Sequence, residues 1–141
     1  ALGGRVAEEI IYGEITTGAS NDLQQVTKIA RSMVTQYGMS DEMGLRVYGE
    51  RQEMVFLGRE ISEQRDYSDA IAEQIDTQVR DIIDVEYARV REILEKNRDK
   101  LDLVAKTLLD VETLESAEFA ALLEGRELPS KLADPRSQSQ L

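Results

Sequence analysis

The residues best placed to do chemistry lie in the stretch Thr16-Thr17-Gly18-Ala19-Ser20-Asn21-Asp22-Leu23. Ser20, Asn21 and Asp22 carry short polar side chains that can accept hydrogen bonds from the free N–H groups of a helix start. Asp22 is the carboxylate of the three. Held on a loop that turns helical, it can serve as a ligand for a divalent metal ion. The plainer role at the same place is electrostatic, because a negative charge in a first turn complements the helix dipole by roughly 0.3–1 kcal/mol. Residue type and position leave both roles open. Glu8 and Glu9 are further carboxylates a short distance upstream. On a helix, successive side chains point about 100° apart, so these two cannot both face one site.

The elements that must position these residues follow from the apolar spacing. Val6, Ala7, Ile10, Ile11 and Tyr12 predict a first helix that Gly13 stops. The pair Gly3-Gly4 would let this helix start close to a neighbouring backbone. Leu23, Val26, Thr27, Ala30 and Val34 predict a second helix over about 21–36, ended at Tyr37-Gly38. Gly18 and Ala19 let the preceding loop pack closely.

A turn-rich connector follows over 39–44. Leu45–Tyr48 and Met54–Leu57 are rich in β-branched and aromatic residues and fit a small hairpin or two extended segments. A polar connector over 58–66 leads to Ser68-Asp69, which would cap the longest helix. Ile71, Ile75, Val79, Ile82, Ile83, Val90, Ile93 and Leu94 trace its stripe, flanked by Ala72 and Tyr87. Asn97–Asp99 breaks the run. Leu101, Val104, Ala105, Leu108 and Leu109 predict a shorter helix, and a turn over 110–114 leads to a last one. Thr113 or Ser116 would cap it, and Gly125 would close it. From Arg126 the chain has two prolines, a Ser-Gln-Ser-Gln ending and no periodicity, so 126–141 is expected to be a flexible tail. The expected fold is a mainly α helical bundle with room for a short β-hairpin, one domain over 1–125.

Composition narrows the chemistry. With 28 acidic and 17 basic residues the net charge is −11, which repels nucleic-acid phosphates and anionic membrane surfaces. There is no Cys and no His. That removes disulfides, thiol chemistry, the familiar zinc ligand sets and any Ser–His or Cys–His nucleophile. No apolar run reaches the ~18 residues of a membrane span. Ala1–Arg5 has no initiator Met and no signal-peptide pattern, and the chain reads as a piece of something longer.

The phrases ALGGRVAEEIIYG over 1–13 and TGASNDL over 17–23 resemble the peptidase domain of the FtsH family, membrane-anchored AAA+ ATP-dependent zinc metalloproteases. The phrases MVTQYGMS over 33–40, VFLG over 55–58, Ile75-Asp76 with Val79, and ETL over 112–114 follow in the same order as family phrases. The resemblance covers roughly residues 1 to 125. Gln78 stands where the family commonly carries Glu.

The resemblance implies an all-helical metallopeptidase domain, of which this chain is the C-terminal part. In the family, a His-Glu-x-x-His helix supplies two zinc ligands and a general base. A later Asp, matching Asp22, is the third protein ligand. Three protein ligands leave a fourth position on catalytic zinc for water. Ser20 and Asn21 would fix the loop around Asp22, and Glu8 is a further candidate to support the site. The two His and the Glu are expected upstream of this chain, as is the P-loop ATPase that binds ATP and Mg. The chain alone is therefore expected to be inactive.

The resemblance further implies polypeptide substrates, a homo-hexamer, no nucleic acid, and membrane attachment only through segments outside this chain. The domain would face the cytoplasm or an organelle interior. The other reading is a non-enzymatic helical oligomerisation module, from a paralogue without the metal site.

Overall fold

The structure is a computed structural model. It describes residues 1–14, 16–49, 66–126 and 128. Five α-helices dominate: α1 (Leu2–Tyr12), α2 (Ser20–Thr35), α3 (Asp69–Lys96), α4 (Arg98–Val111) and α5 (Ser116–Leu123). A 3-10 turn, Thr17–Ala19, runs straight into α2. Among the described residues there is no strand. The predicted hairpin segment Met54–Leu57, most of the 58–66 connector and nearly all of the 126–141 tail lie outside them.

The chain divides into two compact units, Ala1–Glu92 and a second beginning at Ile93. In the first, α1 packs on α2. Leu2 and Val6 of α1 are buried, as are Val26, Ala30 and Val34 of α2, each set at helical spacing. Helix α1 starts at Leu2, before the Gly3-Gly4 pair. Gly3 and Gly4 are therefore helical, at a cost of roughly 0.5–1 kcal/mol each relative to Ala. Burial of Leu2 extends the helix over them. Gly13 ends α1 in the left-handed region at φ 66°, and its N–H donates to Glu9 O at 3.0 Å.

The core beneath these helices joins Val34, Met43, Tyr48 and Ile75, with Tyr67, Ile71, Val79 and Ile82 packed around it. Leu45–Tyr48 is irregular. The Tyr48 N–H, which a ladder would have needed, donates to Thr35 O at 2.8 Å, an end carbonyl of α2. Gln36 Nε2 donates to the carbonyls of Tyr48 and Gly49 at 3.2 and 3.0 Å. Tyr48 OH donates to Met43 O at 2.8 Å, and its ring meets Tyr67 edge-on at 6.1 Å.

Ser68 starts α3 as predicted, its Oγ accepting from Ile71 N at 3.3 Å. Gln78 fastens the 39–44 connector to this helix. Its Oε1 accepts from Ser40 Oγ at 2.7 Å, and its Nε2 donates to Glu42 Oε2 at 2.9 Å.

In the second unit α4 packs on α5. None of the residues of α4 is fully buried, and Leu109 is 84% exposed. Helix α5 begins at Ser116, one residue after its actual cap. Neither Thr113 nor Ser116 takes that position. Glu115 does, and its N–H donates to Glu118 Oε2 at 2.8 Å.

Candidate metal-ligand site

Three pieces of backbone meet at the predicted ligand: α1, the 3-10 turn, and the first turn of α2. Asp22 is half-buried in that first turn. Its carboxylate lies against α1 at Gly4, where an added Cβ would stand 3.4 Å from Asp22 Oδ2. That is an ordinary contact distance, so the helix and the carboxylate pack closely here. No hydrogen bond or ion pair engages the Asp22 side chain among the described residues.

Glu8 is four residues after Gly4, one turn on along the same face of α1. Its Oε2 accepts from Thr16 Oγ1 at 2.6 Å. Thr16 Oγ1 in turn accepts from Gly18 N at 3.3 Å, capping the 3-10 turn. A Cβ on Gly18 would lie 3.5 Å from Glu8 Oε1. The half-buried Glu8 and Asp22 thus share the α1 face that meets the loop. Glu9, 100° around the helix by the same geometry, is used elsewhere. It accepts from Tyr87 OH at 2.5 Å and from Arg5 Nε at 3.2 Å, with Arg91 Nη1 3.9 Å away. That network ties α1 to α3.

The capping role expected of Ser20 and Asn21 is not what the structure shows. The residue before α2 is Ala19, which offers no side-chain hydrogen bond, and both polar residues lie inside the first helical turn, exposed. The 3-10 turn already aligns the chain for the helix, so the side-chain cap moves back four residues to Thr16. Sequence reasoning missed Thr16. Its signal was a Thr two residues before a Gly, the spacing of a hydroxyl-capped turn.

Residues 1–122 match the model of peptidase family M41. The chain belongs to that family. It is 54% identical over 125 residues to the ATP-dependent zinc metalloprotease FtsH of Chloroflexus aggregans, covering 87% of this chain and 19% of that protein. The protein of the same description in Bacillus subtilis is 50% identical over 131 residues, 92% of this chain and 21% of the relative. FtsH 3 of Synechocystis sp. is 51% identical over 125 residues, 87% and 20%. The chain spans about a fifth of the length of these curated relatives.

An M41 site needs more donors than this chain brings together. Among the described residues no group of three His, Cys, Asp or Glu side chains could hold a metal ion. Asp22 fits as one contributor to a shared site: an unengaged, half-buried carboxylate on a packed helix start.

Proposed function

We propose that the full-length protein is an ATP-dependent zinc endopeptidase that degrades polypeptides, and that this chain supplies Asp22 as the third protein ligand of its zinc. The observation that carries the reading is the seat of Asp22, pressed against α1 at Gly4 and unengaged by other described side chains. M41 membership and the printed names of the relatives support the reaction class. The remaining two ligands and the general base would be the His-Glu-x-x-His residues of a segment outside this chain. Zinc, when bound, polarises a carbonyl and acidifies a water molecule.

The role of this chain's residues is to hold one oxygen in place. Glu8 supports the site from the adjoining turn of α1, and Ser20 and Asn21 flank Asp22 on α2. ATP and Mg would bind an ATPase segment, also outside this chain. Assembly as a homo-hexamer and membrane attachment through other segments complete the proposal. Among the described residues no helix is long and apolar enough to cross a membrane.

The test is an Asp22→Ala substitution in the full-length protein. Equilibrium competition with a chromogenic chelator should show zinc affinity reduced by more than about 100-fold, with casein hydrolysis lost in parallel, as expected for loss of a first ligand. Unchanged zinc affinity would remove Asp22 from the ligand set.

A further inference from the structure

The hydroxyl of Thr16 has a single proton and two lone pairs. At 2.6 Å from Glu8 Oε2 the proton goes to the carboxylate, because an ionised carboxylate can only accept. The Gly18 N–H, 3.3 Å away, must then meet a lone pair. The direction of the relay is fixed: Gly18 N–H to Thr16, Thr16 O–H to Glu8. One residue thereby joins α1 to the 3-10 turn that leads into Asp22. Glu8 Oε1 remains on the Gly18 side, where a Cβ would stand 3.5 Å from it.

We propose that Thr16 is a positioning residue of the zinc site, locking the Glu8 carboxylate and the 17–19 turn into one unit from which α2 presents Asp22. The inference rests on the reading of Asp22 as a ligand. Without the hydroxyl, Glu8 would be free to change rotamer and the turn would lose its cap. The Glu8 carboxylate on α1 and the Asp22 carboxylate on α2 would then no longer be held in a fixed relation. Thr16 is exposed, so its removal should disturb the site more than the fold.

The experiment measures zinc affinity by chelator competition in the full-length protein, with circular dichroism as a check on folding. Thr16→Val, which keeps the shape and removes the hydroxyl, should weaken zinc by about 10- to 100-fold, the range seen when a group orienting a ligand is lost. Thr16→Ser, which keeps the hydroxyl, should stay within about threefold of the unsubstituted protein, since the relay is retained. The exchange of the Gly18 amide with solvent should quicken in Thr16→Val and not in Thr16→Ser. If Thr16→Val fails to fold, Gly18→Leu, at an exposed position, displaces Glu8 and reads the same relay, and zinc affinity should fall in it too. Unweakened zinc binding in Thr16→Val, or in Gly18→Leu where that variant is needed, overturns the positioning role. If Asp22→Ala has lost zinc in that case, the ligand reading stands. If Asp22→Ala also binds zinc normally, the ligand reading has failed first.

Discussion

Asp22 and Gly4 meet where α1 packs on the start of α2. The dipole contribution of Asp22 to α2 is at most about 1 kcal/mol. Asp22→Ala should therefore move the urea midpoint little while, on the proposed reading, it weakens zinc binding by more than about 100-fold, a separation that paired unfolding and metal titrations will show. Gly4 is helical, and a Cβ there would meet Asp22 Oδ2 at an ordinary contact distance of 3.4 Å. Gly4→Ala should then raise stability by roughly 0.5–1 kcal/mol, read as a higher urea midpoint, because helical Ala costs less backbone entropy than Gly. Gly4→Leu would extend a larger side chain beside Asp22 Oδ2. It should push the carboxylate away and lower zinc affinity in the full-length protein with helix content retained on circular dichroism. The phrase TGASNDL pointed to Asp22 and to a helix start, and the structure seats that carboxylate at the first turn of α2. The Gly4 contact was only half legible, because a glycine pair announces close approach without saying what approaches.

At the scale of elements, the apolar period of 3.6 made the helices readable, and every predicted helix is present within a few residues. Ends were harder. Three adjacent cap candidates, Ser20, Asn21 and Asp22, cannot be ranked without knowing the backbone before them, and a 3-10 turn made Thr16 the cap instead. Period also names a face without naming its cover. The α4 stripe was read correctly as a stripe, yet Leu108 and Leu109 are both exposed, unlike Ile75, which is 1% exposed in the first unit. Ile75→Ala should cost roughly 2–5 kcal/mol in urea unfolding, as for other buried large-to-small changes.

Gln78 lies on α3, away from the Asp22 loop. It holds the 39–44 connector by accepting from Ser40 and donating to Glu42. Gln78→Glu removes the donor and sets a second negative charge beside Glu42. It should lower stability by about 0.5–1 kcal/mol in low salt, the scale of a partly exposed hydrogen bond. Added salt should recover part of the loss by screening the repulsion.

The whole molecule is a helical M41 peptidase segment with net charge −11 and with no imidazole or thiol of its own. Its first unit carries Asp22 at the start of α2, which packs on α1, and α1 is tied through Glu9 and Tyr87 to α3. Among its described residues no three donors could hold a metal ion, so on the proposed reading Asp22 is one ligand of a site completed by other segments. This chain alone should accordingly show no tight stoichiometric zinc binding in isothermal titration, and should not cleave casein, since catalytic zinc takes three protein ligands. The most direct measurement is a zinc-loaded crystal structure of the full-length protein, with the metal placed by anomalous scattering at its absorption edge. An Asp22 carboxylate oxygen about 2.0–2.2 Å from the zinc, beside two imidazole nitrogens, is the expected result. A zinc ion fully coordinated with the Asp22 carboxylate outside its coordination sphere would contradict the account.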